Sequence, residues 1–318
     1  MQRLTRILFF TLSVLLLATS CQPFFDDLSK CKTPRLQFSY TANGTDNVLG
    51  QYIESGELFI YDESGRLYHA QKLYSLDLRD GLTLSNIHSG KWRIVAWGNV
   101  ASHTRLTDAQ TPLKEAELYT LPDEKGVYRT TDSLYYADVM LDVPALPEGG
   151  VFVVPFAAAH ISLDVVVEGF DKVFGTENKD AAPCLTIRPA GTHYRFTDHL
   201  ETGAPLYIPQ PDVLKPFEPT TVHDASSDRY RARFDLLRFE EIADASLLLT
   251  NTAEPNAEPL VALPLMQYAA EKAIPVKGVN EVNIPILIKL DNEGGKLALT
   301  IEPFEWGSIN IRPDGFKK

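Results

Sequence analysis

Of the side chains in this sequence suited to covalent or metal chemistry, Cys21 stands in the most informative place. It follows the small residues Ala18-Thr19-Ser20, which follow the apolar run 7–17 (ILFFTLSVLLL), with Arg3 and Arg6 ahead of it. A positive end, an apolar run and a small-residue site in that order predict a secretory signal at 1–20, cleaved between Ser20 and Cys21. The run has 11 residues, too few for a membrane span, which needs ~20. A cysteine at the cleavage point resembles a lipobox, in which the thiol is diacylated and the freed amine is acylated afterwards. Ala18 occupies the position where Leu is commoner, and Leu17 sits one step earlier. Two or three acyl chains would anchor stably, at ~0.8 kcal/mol per buried CH₂. The expectation is a lipid on Cys21 and everything after it outside the membrane.

The remaining candidates lead nowhere catalytic. Cys184, His193 and His199 are a loose Cys/His grouping whose spacing matches no zinc pattern. No G-x-G, H-E-x-x-H, G-x-S-x-G or C-x-x-C occurs. The expectations are therefore no catalytic residue, no metal and no cofactor. Cys31 and Cys184 are open to two readings. They could form a disulfide outside the cytoplasm, or be a free thiol near the tether and a buried apolar residue. The unpaired reading is preferred, because a bond would tie the leading edge of one domain to the next.

Composition narrows the class. With 44% hydrophobic and 23% charged residues the chain is a folded protein, not a disordered one. Lys+Arg total 30 against 42 Asp+Glu, a formal charge of −12. Such a chain lacks the basic footprint that phosphate backbones require, so nucleic acid is excluded as a partner. The plentiful carboxylates read as a solvated surface.

What positions these residues is strand after strand. Period two dominates 35–41, 57–61, 66–73, 91–97, 151–156 and 160–167, then 229–236, 281–290 and 297–301. Helices are predicted only over 113–119 and 265–273. Residues 205–219, with Pro205, Pro209, Pro211, Pro216 and Pro219, read as a long irregular loop. Pro285, which lacks an N–H, predicts that its strand lies at a sheet edge. The fold class expected is all-β, antiparallel, with one polar face on most strands. Its size suits two tandem β-sandwich domains, 34–158 and 159–318, after the signal (1–20) and a lipidated tether (21–33).

Several pieces together resemble the fimbrial-anchor lipoproteins of Bacteroidales, the FimB-type family of minor fimbrial subunits. They are the lipobox cysteine, Cys31 ten residues on, the first strand Arg35-Leu36-Gln37-Phe38-Ser39-Tyr40, and LFIYDESG at 58–65. The most specific is SGKWRIVAWGN at 89–99, similar to the family's Gly-x-Tyr-x-x-x-x-Trp-Gly-Asn with Trp92 at the Tyr position. Leu134-Tyr135-Tyr136-Ala137 is similar to the family's Leu-Tyr-Tyr-Gly. Asp26-Asp27 resembles the signal that sends Bacteroidetes lipoproteins to the cell surface. The residues also have a plainer reading. Trp92 and Trp97 fall on opposite strand faces, one in the core and the other at a sheet surface or between domains. Gly98-Asn99 is a good turn.

The resemblance implies transthyretin-like sandwiches and a non-enzymatic outer-membrane lipoprotein. Such a protein holds the base of a fimbria (pilus) at the cell surface and limits its length. Its partners would be membrane lipid through Cys21 and a fimbrial stalk subunit by strand addition. Stalk subunits of this class are cleaved after an arginine, but cleavage after Arg35 would detach this chain from its lipid. Only 14 residues separate Cys21 from Arg35, a reach of at most ~50 Å, so the first domain stays near the bilayer. The fimbrial contact is then expected in the second domain, at the C-terminal stretch 307–318 through Ile309 and Ile311, unless these simply form the last strand of their own sheet. A competing reading is a surface glycan- or host-binding lipoprotein or tip adhesin, with Tyr194, Tyr207 and Phe217 as stacking platforms. An extracellular hydrolase has no motif in its favour.

Overall fold

The computed structural model of the chain describes residues 33–304, apart from 86, 109, 145–149, 176–180, 197–212, 225, 240–244, 255 and 295. The predicted signal and lipid site at Ser20 and Cys21, Cys31, His199, Tyr207, and the contact residues Ile309 and Ile311 lie outside the described residues.

Alternating apolar residues become strands through most of the chain. Up to residue 158 these are β1 (Arg35–Ser39), β2 (Gly56–Tyr61), β3 (Leu67–Leu73), β4 (Leu82–Thr83), β5 (Gly90–Gly98), β6 (Thr104–Leu106), β7 (Glu117–Thr120), β8 (Tyr135–Val143), β9 (Val151–Pro155) and β10 (Ala157–Ala158). Then come β11 (His160–Glu168), β12 (Pro183–Gly191), β13 (His193–Arg195), β14 (Leu214–Phe217), β15 (Val222–Asp224), β16 (Arg229–Leu237), β17 (Ser246–Asn251), β18 (Val261–Pro264), β19 (Asn283–Glu293) and β20 (Lys296–Glu302). Among the described residues four short helices intervene: α1 (Leu49–Tyr52), α2 (Ser75–Asp80), α3 (Phe170–Phe174) and α4 (Leu265–Glu271). None is long and apolar enough to cross a membrane.

The fold is all-β, as expected, and builds two sandwiches. In the first, the sheet β4-β1-β9 packs on β10-β8-β5-β2-β3 around Leu36, Phe38, Leu58, Ile60, Trp92 and Ile94. In the second, β15-β16-β11-β19-β20 packs on β14-β12-β17-β18 around Leu163, Val165, Phe234, Leu247, Ile286 and Ile288. Among the described strands two pairings are parallel, β1 with β9 and β11 with β19. Each joins strands far apart in sequence, as a parallel pair must, since a tight hairpin only makes antiparallel neighbours.

Several expectations are corrected. The stretch 113–119 is not a helix: a single 3₁₀ turn at Leu113–Glu115 leads straight into β7, where Leu118 and Thr120 alternate inward. Part of the expected proline-rich loop is strand β14, which carries Pro216. It is an edge strand, where a missing N–H costs no ladder bond. The Pro285 strand is not an edge strand, because β19 lies between β11 and β20. The proline is accommodated because pairing with β20 starts only at Leu287. The Pro285 carbonyl instead accepts from the Tyr268 hydroxyl at 3.0 Å.

The expectation of one polar face also fails for the β5 sheet. A third sheet, β13-β7-β6, covers its outer face and forms a second core of Phe59, Tyr61, Val95, Trp97, Leu118, Tyr136 and Tyr194. From Trp92 to Gly98 every residue of β5 is buried. The run Ile94–Trp97 does not alternate, which is the pattern of a strand covered on both faces.

Candidate functional site

The most family-like residues, 92–99, do structural work at the centre of these layers. Trp92 enters the inner core and Trp97 the outer one, with exposures of 2% and 0%. The Trp97 ring stands 4.6 Å from Tyr136 and stacks on Tyr194 at 5.9 Å. Gly98 leaves room for its neighbour, since a Cβ there would lie 2.8 Å from Ile53 Cγ2. Asn99 has a positive φ of 60°, a conformation Asn tolerates. It does more than turn the chain. Its Nδ2 donates to the carbonyls of Tyr52 (2.7 Å) and Ser133 (3.2 Å), and its Oδ1 accepts from the Glu54 N–H (3.0 Å). Earlier along β5, Arg93 forms a bidentate ion pair with Asp138, and Tyr136 donates to the same carboxylate at 3.2 Å. Burial first, then that carboxylate, pushes the Tyr136 phenol well above its ordinary range.

The sandwiches meet through contacts that sequence spacing did not signal. β13 belongs to the later part of the chain yet pairs with β7. Its Tyr194 hydroxyl lies 3.0 and 2.8 Å from the carbonyl oxygens of Ala159 and Arg238, donating to the pair. Arg238, itself buried, donates to the carbonyls of Asn280 (2.7 Å), Val276 (2.8 Å) and Val279 (2.5 Å) and holds that loop in place. The loop then reaches the first sandwich. Asn43 Oδ1 accepts from the N–H groups of Asn280 (2.8 Å) and Glu281 (3.1 Å), and the phenols of Tyr40 and Tyr135 both donate to Glu281 Oε1. Desolvation first, and the Glu281 carboxylate beside them, raises both phenols far above their ordinary range.

The far side of the second sandwich is open. β20 pairs with β19 alone among the described residues. Leu299 stands opposite the buried Leu290, and Ile301 opposite Ile288, so the core-facing positions of β20 are Leu297, Leu299 and Ile301. Only Ile301 packs against the core; Leu297 and Leu299 are 42% and 38% exposed. An edge that has no further strand partner among the described residues, and that carries exposed leucines, is a template for another strand.

A family model described as "Fimbrillin-A associated anchor proteins Mfa1 and Mfa2" matches residues 28–312. The chain belongs to this family. No curated protein matches the sequence. Among solved structures, a candidate adhesin from Bacteroides ovatus is similar with a TM-score of 0.67 at 14% identity, over 90% of this chain and 99% of that one. The fimbrial anchor protein Mfa2 from Porphyromonas gingivalis is similar with a TM-score of 0.62 at 14% identity, over 86% and 98%. A protein from Bacteroides thetaiotaomicron described as polysaccharide binding has a TM-score of 0.62 at 11% identity, over 86% and 99%. These likenesses are of fold. The family makes the role fimbrial and structural, at the cell surface.

The other residues singled out in the sequence are placed as follows. Cys184 is a half-buried free thiol on β12, opposite Thr250. His193 lies in a different sheet, on β13, stacked on Tyr119 at 5.8 Å, so the loose Cys/His grouping is not assembled there. Tyr194 and Phe217 are not stacking platforms, because both are fully buried, Tyr194 against Trp97 and Phe217 against Tyr128. A grouping absent from the sequence reading is Asp171, His223 and Asp228, whose ligand-type atoms lie within 4.8 Å of one another. Local contacts hold each in place. Asp171 accepts from the Tyr230 hydroxyl (2.7 Å) and pairs with His223 (3.2 Å), while Asp228 accepts from N–H groups at the start of α3.

Proposed function

We propose that this protein is an outer-membrane lipoprotein that anchors the base of a fimbria and limits its length, held by acyl chains on Cys21. The observation that carries the reading is the family match, which begins at residue 28, a few residues past the predicted lipid site. The position of β1 supports it. The strand lies between β4 and β9, and Leu36 and Phe38 are buried in the first core. Its removal, which would open a groove in a stalk subunit, would here break the sandwich nearest the membrane.

The chain divides at 158/159 into a membrane-proximal domain and a domain that receives the fimbria. A stalk subunit is taken by strand addition at the end of the second domain that carries β20 and the following stretch with Ile309 and Ile311. Exposed Leu297 and Leu299 support that choice of edge. Backbone hydrogen bonds would set the register, and alternate apolar side chains would give most of the affinity.

Two variants test the two ends. Cys21→Ser is expected to leave the fold intact and release the protein from membranes; continued membrane fractionation with palmitate labelling would overturn the lipid assignment. Truncation after Trp306 is expected to give a folded, membrane-bound protein that no longer retains fimbriae. Normal retention would exclude the contact, and a misfolded product would make 307–318 the last strand of its own sheet.

A further inference from the structure

One cavity of the first sandwich owes its shape to a bulge. In the β2–β3 pairing Ile60 stands opposite His69 and Tyr61 opposite Leu67, so Tyr68 is the extra residue. In a regular strand neighbouring side chains point to opposite faces; a bulge re-aims one of them. Tyr68, His69 and Gln71 consequently line one cavity of about 480 Å³, closed on the other side by Thr83, Ser85 and Ile87. The volume falls within the ~300–1,000 Å³ of small-molecule sites.

Tyr68 is 45% exposed yet well supported. Its ring lies 4.8 Å from that of buried Trp92. His88 packs edge-on to the same indole at 4.7 Å, and the indole N–H donates to the His88 carbonyl at 2.9 Å, which fastens the opposite wall to the sheet. His69 Nε2 and Gln71 Oε1 are 2.9 Å apart, joining imidazole and amide in the lining. No carboxylate, ammonium or guanidinium side chain is among the lining residues. By contrast, a larger cavity of about 630 Å³ beside α1 and α2 is lined by Glu54 and Arg79 and carries no aromatic ring.

A held aromatic face flanked by hydroxyl, amide and imidazole groups, without formal charge, matches one ligand chemistry closely. A pyranose ring offers an apolar C–H face for stacking and a rim of hydroxyls that donate and accept hydrogen bonds. A phosphate, a carboxylate or an ammonium ligand would find no counter-charge in the lining and would lose its hydration. We propose that this cavity binds a pyranose unit of a neutral saccharide, stacked on Tyr68 and read by His69, Gln71, Thr83 and Ser85. The proposal stands apart from the anchoring role, since it uses neither Cys21 nor β20.

The test is a binding screen of the full-length protein on neutral, sialylated and sulfated oligosaccharides and on polysaccharide released from the producing cell, followed by titration of each hit. Trp92 lies under the platform, so binding is expected to change tryptophan fluorescence. Tyr68→Ala is expected to weaken binding at least tenfold while the protein stays folded with only a small drop in melting temperature, Tyr68→Phe to keep most of the binding, and Gln71→Ala to weaken it while leaving the stacking signal. Tyr74→Ala, at another exposed ring, is expected to change nothing. Preference for released cell polysaccharide over free oligosaccharides would identify the cell's own surface as the source, and the reverse an external glycan. No neutral glycan bound, equal binding by Tyr68→Ala, or preference for the charged glycans would each overturn the proposal.

Discussion

The sheets centred on β5 and β11 are both five-stranded and both present an apolar inner face, but their outer faces differ. Over the β5 sheet, β13-β7-β6 buries Val95, Trp97 and Tyr136 in a second core. Over the β11 sheet the outward positions of β16 include Arg229, Arg231, Arg233 and Asp235, and Arg229 pairs with Glu168 at 3.0 Å while Arg233 faces Asp164 at 3.6 Å. The first sheet lies between two apolar layers; the second carries mostly polar and charged groups on its outer face, apart from a small cluster of Val166, Leu287 and Phe304, and ends at β20 among the described residues. The contrast suits the proposed anchor, in which the first domain would have to resist opening while the second stays available to a partner.

The largest effect that would break this contrast is expected at Trp97. Trp97→Ala should cost about 3–5 kcal/mol, because it empties the space between Tyr136 and Tyr194, and denaturant melts would register it. A cost below about 1 kcal/mol would mean that the outer layer is not a true core.

Asn99→Ala comes next. It leaves the Tyr52 and Ser133 carbonyls and the Glu54 N–H without their partner, for a loss of about 1–3 kcal/mol. Replacement by Gly, which keeps the backbone conformation, should restore only part of it.

Alkali sharpens the comparison through the tyrosines. Tyr40 and Tyr135 are raised by burial and by Glu281, and Tyr268 of the second sandwich is pushed up to about 12, chiefly by burial. A folded pKa above the unfolded one means that the fold prefers the protonated phenol. That stabilisation is complete below the unfolded value near ~10 and is lost as pH rises past it. The urea midpoint should therefore fall on moving from about pH 8 to about pH 11. Phenolate absorbance of Tyr40 and Tyr135 should appear only with unfolding. Titration of all the tyrosines near their ordinary value in a still folded protein would contradict the junction geometry.

The smallest stability effects belong to the second sheet's surface. Arg229→Ala should cost under about 1 kcal/mol, as exposed ion pairs do. Leu299→Asp should change stability by no more than about 0.5 kcal/mol while abolishing fimbrial retention in cells, a separation of binding from folding that Trp97→Ala cannot show.

Much of this was legible in the residues. Tyr230, Ala232, Phe234 and Leu236 alternate inward as the period of β16 requires. The all-β class and most strands follow from the same pattern. The doubly covered strand is marked by the unbroken run Ile94–Trp97, while Lys91 and Arg93 ahead of it imitate a half-exposed strand; Arg93 is in fact buried, paired with Asp138. At 113–119 a short amphipathic stretch fits both periods, and its pairing with β6 and β13 made it a strand. For Tyr194 and Phe217, residue type says that a ring is large and apolar but not whether another layer lies above it.

By itself the sequence determined which residues alternate, where the chain turns, that the charge is negative, and that a family motif runs through residues 89–99, because these depend on local sterics and side-chain chemistry. Only the tertiary structure decided that β13 crosses to cover Trp97, that Arg238 and Asn43 clamp the 276–281 loop, that a bulge aims Tyr68 beside His69, and that β20 is left at an edge. The first two are contacts between segments tens to hundreds of residues apart, and the last two depend on how whole strands pair; such partners are chosen by packing and by the need to satisfy buried polar groups, neither of which is written in the spacing of neighbours along the chain.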